Sequence, residues 1–202
     1  MIKKKSRGFT LAEVLITLGI IGIVSALTMP QLFNRTRNAH LGAQLATAIS
    51  TVENGVGVYL YDNNVKSIAL LENGELKIST LLDKLHDEKY IKFSEYSELS
   101  PDGCDAKFVL PDKSVIGECG TGDIVAFDAS TVSGSNMFLM SSTSTKNVNL
   151  IEGLDYFRMY LAADGHIYLP GLDYNVDAPC DEENGGEGCV GKIAKNGWKV
   201  NY

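Results

Sequence analysis

Glu13 is the only ionisable side chain in FTLAEVLITLGIIGIVSALTM, the run from Phe9 to Met29. A carboxylate in such surroundings costs on the order of 2.5 to 3.5 kcal/mol on membrane-insertion scales, and is usually retained only where it has a partner. The run contains no Lys or Arg, so the partner is expected on another chain or at a chain terminus. A cut between Gly8 and Phe9 would create an α-amino cation four residues from Glu13. In a stack of such helices, Glu13 of one subunit would neutralise the amine of the next inside an apolar bundle. Glu13 is then an assembly residue.

The element that must carry Glu13 is a helix. Its 21 residues, at about 1.5 Å each, give about 31 Å, close to the hydrocarbon thickness of a bilayer. Lys3, Lys4, Lys5 and Arg7 precede it with no acidic residue among them. That excess of positive charge places the N-terminus on the cytoplasmic side and everything after Met29 on the far side, against a weak opposing pull from Arg35, Arg37 and His40. A secretory signal peptide fits less well, because the apolar run is long for one and contains Glu13. A plain signal anchor fits the hydropathy, and Glu13 is what separates it from an assembling helix. The whole chain has 202 residues, 18 Lys+Arg against 25 Asp+Glu, and a net charge of -7. Such a balance suits one folded domain plus an appendage and excludes a polybasic nucleic-acid binder, so no nucleic-acid partner is expected. We read no repeating unit of fixed period, which sets aside solenoids and collagen.

The basic leader, Gly8, Phe9, Thr10, Leu11, Glu13, the continuous apolar run and then Pro30 resemble the cleavage and methylation segment of the type IV pilin superfamily. That superfamily includes the pseudopilins of type II secretion and of competence. The resemblance covers about the first 35 residues. It implies that a prepilin peptidase cuts after Gly8 and N-methylates Phe9, and that subunits pass from the membrane into a helical filament cored by these helices. Other pilin or pseudopilin subunits, the peptidase and the membrane are the implied partners. The implied location is the inner or cytoplasmic membrane, then an extracellular or periplasmic filament. Loss of residues 1–8 would remove four of the 18 basic residues, leaving 14 against 25 acidic ones and a net charge of -11. The competing reading from another class is a membrane-anchored extracytoplasmic binding protein that does not polymerise.

Beyond the apolar run, Leu45, Ile49, Val52, Val56 and Leu60 follow Leu41 at intervals of three and four, one face of a continuing helix. The expected architecture is α+β. A leader at 1–8 precedes a long helix over 9–61, spanning at 9–29, which packs on a small antiparallel-sheet head over 62–202, as in pilins. Pro30 removes a backbone hydrogen bond, and Gly19 and Gly22 weaken the helix, so a kink or loosening is expected between Gly22 and Pro30. The resemblance implies unwinding of that stretch in a filament. Gly22 and Ala26 equally fit a small-residue helix contact.

In the head, Asp62-Asn63-Asn64 and Asn73-Gly74 read as turns. Ser79 or Thr80 is expected to cap a short helix that buries Leu81, Leu82 and Leu85. Strands are expected at Lys107 to Leu110, Ser114 to Glu118, Ile124 to Phe127, Met137 to Met140 and Tyr156 to Leu161. The last is joined to Ile167 to Leu169 by an Asp164-Gly165 hairpin. Ser141 to Thr145 reads as a loop. Val190 to Ala194 reads as a helical turn ended by Gly197, with Trp198 as a packing anchor.

Cys104, Cys119, Cys180 and Cys189 all fall in the part placed outside the cytoplasm, where oxidation is the default. Three pairings are possible. The short-loop one, Cys104 with Cys119 and Cys180 with Cys189, is favoured by the hairpin inside the first pair and the Gly-rich loop inside the second. Closing a loop of about 15 residues contributes roughly 3 kcal/mol by chain entropy. Neither spacing is that of a zinc site. Asp173, Asp177, Asp181, Glu182, Glu183 and Glu187 could offer oxygen ligands to calcium, but they match no EF-hand loop and read as a solvated acidic loop. His40, His86 and His166 are scattered, and no Walker loop, nucleophile elbow, Rossmann fingerprint or HExxH occurs. No enzyme, metal or cofactor is expected.

Overall fold

The three-and-four spacing that begins at Leu41 forms part of α1, a helix over Leu11–Asp62. The computed structural model describes residues 9–70, 77–95, 101, 103–120, 136–140, 150–181 and 184–200. The leader with Gly8, the Asn73-Gly74 turn, the Ile124 to Phe127 run, the Ser141 to Thr145 stretch, Glu182 and Glu183 lie outside the described residues. The chain forms two compact units, Met1–Ala39 and His40–Tyr202. The first holds the apolar part of α1; the fold of the second follows.

In the second unit α1 buries Leu45, Ile49, Val52, Val56 and Leu60 in the main core. Asn64 ends the helix in the left-handed region at φ 54. The Val65 N–H reaches back to the Leu60 carbonyl and the Asn64 N–H to that of Tyr61, a Schellman closure with Asn in place of the usual Gly. Helix α2, Ile78–Asp87, buries Ile78, Leu81, Leu82 and Leu85, extending the expected face by one residue. The expected Ser79 or Thr80 cap is corrected. The cap position is Lys77, with no side-chain cap bond, and the Ser79 N–H donates instead to Glu118 Oε2 at 2.8 Å. A carboxylate from the sheet thus meets the positive end of the helix, a contact that local sequence does not encode.

Among the described residues, six antiparallel strands form a meander in chain order: β1 Ser94–Glu95, β2 Cys104–Val109, β3 Val115–Cys119, β4 Asn136–Met140, β5 Tyr156–Leu161 and β6 Ile167–Tyr168. Their register aligns Phe108, Ile116, Leu139 and Phe157 across four strands. All four are buried in the core shared with α1 and α2, so this row is where sheet and helices meet. The register between β2 and β3 shifts between Ala106 and Phe108. The extra residue reverses the facing of β2, so that Cys104 clusters with Cys119, Val115 and Tyr156 on the other side of the sheet from Phe108.

The β2–β3 and β5–β6 hairpins have the turns their sequences demand. Asp112 Oδ1 accepts the Ser114 N–H at 2.9 Å and the Ser114 hydroxyl at 2.6 Å, closing the β2–β3 loop. The β5–β6 loop closes with Ala162 N–H on the His166 carbonyl at 2.9 Å, Gly165 taking φ 88. Glu53, the only charged residue from Leu41 to Tyr61, holds this hairpin on α1. Its Oε1 accepts the Ile167 N–H at 3.0 Å and lies 2.8 Å from His166 Nδ1.

Cys104 is bonded to Cys119, and Cys180 to Cys189, the short-loop pairing. The first pair joins directly opposed residues of β2 and β3. The second opens α3, Cys189–Lys195. Gly197 at φ 67 and Trp198 close α3 through Gly197 N–H to the Ala194 carbonyl and Trp198 N–H to that of Ile193. Trp198 packs half-buried against the main core, the expected anchor.

One short loop occurs twice in the head, without a repeating period. Ile151-Glu152-Gly153-Leu154-Asp155-Tyr156 and Leu169-Pro170-Gly171-Leu172-Asp173-Tyr174 form the same loop twice. In each, the Asp carboxylate accepts the N–H of the first residue, at 3.0 Å in one and 2.8 Å in the other. In each, the Gly N–H donates to the Tyr carbonyl, at 2.7 and 2.8 Å, with Gly φ of 86 and 81. Two copies of so short a unit make no solenoid period.

Burial pushes the Tyr174 phenol above its ordinary value of 10.0, with Glu187 and Glu152 adding to the rise. An unfolded chain loses that proton near pH 10 while the folded head holds it, so the stabilisation is complete below about pH 10 and is lost as pH rises further. The thermal midpoint of the head is expected to fall above about pH 10, and Tyr174→Phe to make that fall shallower, as read by circular dichroism melts across the alkaline range. An unchanged slope in the variant would contradict the assignment.

Candidate functional site

Thr10 sits one residue before α1, and its N–H and hydroxyl both donate to Glu13 Oε2 at 2.8 Å. The Glu13 N–H returns a bond to Thr10 Oγ1 at 3.3 Å. This reciprocal pair is a capping box, which satisfies donors that the helix itself leaves open. The carboxylate is therefore held by its own chain through one oxygen. Among the described residues, Oε1 has no hydrogen-bond partner. Phe9 is 90% exposed beside it.

The first part of α1, which carries this site, is apolar on every side. Leu11–Met29 is long and apolar enough to cross a bilayer, and none of it is buried within the chain. Val14, the least exposed of its large apolar side chains, is still 45% exposed. Its two threonine hydroxyls are turned onto the backbone: that of Thr17 donates to the Glu13 and Val14 carbonyls, and that of Thr28 to Val24, all at 2.9 Å. Hydroxyls satisfied in this way do not obstruct entry into hydrocarbon. A Cβ added at Gly19 or Gly22 would meet nothing within 4 Å, so neither glycine makes room for a contact within the subunit. The helical assignment continues through Gly22 and Pro30. Proline carries no N–H, so the Ala26 carbonyl lacks its helical donor at that point.

Phe9 and Glu13 thus lie together at the start of α1, with Gly22 and Pro30 farther along the same helix. The four cysteines lie in the second unit as two separate disulfides. Among the described residues no group of three or more His, Cys, Asp and Glu is placed to hold a metal ion. His166 pairs with Glu53, and His86 stacks on Phe108 with ring centroids 5.1 Å apart. In the acidic C-terminal loop, Asp173 and Asp181 accept backbone N–H groups of their own loops. Thr10 is the neighbour of Glu13 that the charge argument passed over. Its signal was the Thr-x-x-Glu spacing of Thr10 and Glu13 ahead of an apolar run.

Residues 3–29 match the family described as the prokaryotic N-terminal methylation motif. They form a prepilin segment of the type IV pilin and pseudopilin kind. No curated protein and no solved structure matches the chain. The prepilin segment supports a pilin-like or pseudopilin precursor processed by a prepilin peptidase, and its family is structural rather than enzymatic. It implies assembly with pilin subunits in a membrane context. With the long helix and the antiparallel sheet, the fold is α+β and pilin-like. Helix and prepilin segment together fit membrane anchoring.

Replacing Thr10 by Val removes the hydroxyl from the cap. The expected cost is about 1 kcal/mol, or roughly fivefold faster exchange of the first-turn amides. Hydrogen exchange of the full chain in detergent micelles checks this, with Thr10→Ser expected to behave as wild type.

Proposed function

We propose that this chain is a structural subunit or minor component of a type IV pilus-like or type II secretion pseudopilus filament. The observation that carries the reading is an apolar helical stretch, Leu11–Met29, without a buried side chain, headed by a carboxylate four residues from Phe9, inside a prepilin segment. In this reading residues 1–8 are the leader, 9–61 the helix and 62–202 the extracytoplasmic head. The leader's positive charge keeps the N-terminus cytoplasmic. Cleavage after Gly8 exposes the Phe9 amine, which is then N-methylated.

Assembly follows from the two oxygens of Glu13. Oε2 stays on Thr10, and Oε1 receives the Phe9 amine of a neighbouring subunit, so the pair forms without dismantling the cap. In a medium of low dielectric such a pair is retained because either partner alone would be a buried, uncompensated charge. The open surface at Gly19 and Gly22 receives neighbouring helices, and the stretch from Gly22 to Pro30 loosens to adjust their register. The Cys104–Cys119 and Cys180–Cys189 bonds suit a head held in an oxidising compartment.

Glu13→Ala in the native host is expected to be processed and inserted normally yet to be missing from sheared filaments, as read by immunoblotting of membrane and filament fractions. A non-polymerising anchored protein would be indifferent to the change. Normal filament incorporation of the variant would remove this account of Glu13.

A further inference from the structure

The twin loops of the head both face one short piece of chain. The Glu152 carbonyl of the first loop accepts the Gly186 N–H at 2.7 Å, and the Pro170 carbonyl of the second accepts the Gly191 N–H at 3.1 Å. These two acceptors occupy the same position in the repeated unit. Side chains are excluded on both sides of each contact. A Cβ on Gly153 would come within 2.7 Å of the Gly186 nitrogen and 2.9 Å of Cys189 Sγ, and one on Gly171 within 2.6 Å of the Gly188 carbonyl oxygen. From the other side, a Cβ on Gly185 would collide with the Glu152 carbonyl and one on Gly191 with that of Pro170. Backbone meets backbone at both loops.

The same piece of chain begins at a disulfide and ends on α1. Cys189, which opens α3, is fully buried against Gly153 and bonded to the partly exposed Cys180. Val190 and Ile193 of α3 enter the core that holds Leu41 and Leu45. Past the Gly197 closure, the Trp198 carbonyl lies so close to α1 that any side chain at Gly42 would collide with it. A line of contacts therefore runs from the Cys180–Cys189 bond through the two loops and α3 to Gly42.

We propose that Gly185 to Trp198 is a redox-controlled strap: the Cys180–Cys189 disulfide latches it into the paired Gly-Leu-Asp-Tyr loops, and reduction releases it from both loops and from α1 at Gly42. At the loops themselves the strap is held by backbone hydrogen bonds rather than by side chains, while Val190 and Ile193 hold its α3 part in the core. In opening, an external dithiol attacks at Cys180, the less buried of the two cysteines. It gives up two electrons and two protons, leaves as its own disulfide, and yields the Cys180 and Cys189 thiols. Closing reverses this with a protein disulfide as the oxidant, which is itself reduced to a dithiol. The Cys104–Cys119 bond lies across β2 and β3 and has no part in the latch.

Trp198 is the only tryptophan in the chain and sits at the end of the strap, so its fluorescence reports the latch directly. The test compares the full chain in detergent micelles with the C180S/C189S and C104S/C119S variants. Readouts are Trp198 emission, acrylamide quenching and amide exchange of β3 and β5. We expect red-shifted emission and several-fold stronger quenching in C180S/C189S, with the sheet amides still protected, and unchanged Trp198 emission in C104S/C119S. If C180S/C189S is not recovered, the C104S/C119S chain titrated with dithiothreitol gives the same reading, because Cys180–Cys189 is then its only disulfide. Unchanged Trp198 exposure on loss of Cys180–Cys189 would overturn the proposal. So would simultaneous loss of sheet protection, which would make the bond a staple of the whole head.

Discussion

A stretch of helix that is apolar all the way round, and buries nothing in its own chain, cannot stay in water. The side chains from Leu11 to Met29 remain largely exposed in the subunit. At about 1.5 to 3 kcal/mol for each large one, covering them is worth on the order of 20 kcal/mol. The charge of Glu13 opposes insertion by only about 2.5 to 3.5 kcal/mol. The apolar term decides by a wide margin, and the segment must be covered by lipid or by other helices. Everything else about the N-terminal unit is an accommodation to that requirement, from the inward-turned hydroxyls of Thr17 and Thr28 to the unoccupied surface at Gly19 and Gly22.

In the proposed reading, Glu13 serves two states with one carboxylate. In the isolated subunit it completes a capping box with Thr10, which satisfies donors at a helix end that hydrocarbon would otherwise leave open. The second oxygen is left to a cation, and the proposed source is the neighbouring Phe9 amine. The cap keeps the carboxylate in one geometry, so less side-chain entropy is lost when a partner arrives. A purely electrostatic argument finds the need for a partner but not the hydroxyl that positions it.

Much of the head was legible because its signals are local. The stripe from Leu41 to Leu60 announced a helix face, Asp164-Gly165 announced the β5–β6 hairpin, and Gly197 marked the end of α3. The two short cysteine spacings were readable for the same reason, since each encloses a turn that brings its ends together. What escaped depends on residues distant in the chain or on backbone alone. Glu118 caps α2 from a strand, the extra residue after Ala106 turns Cys104 to the face of Cys119, and Glu53 ties the hairpin to α1. The twin loops escaped because their identity lies in hydrogen bonds and positive φ values, while the letters they share are only Gly-Leu-Asp-Tyr. At the N-terminus, the prepilin segment was readable because processing acts on a short linear stretch rather than on a folded surface.

The central claim is that this chain matures as a pilin-like subunit, and the N-terminus of the protein isolated from its native membrane tests it most directly. Intact and peptide mass spectrometry is predicted to find a chain that begins at N-methylated Phe9. An intact leader, or a terminus beyond Met29, would contradict the account and leave a signal anchor or a secreted protein in its place.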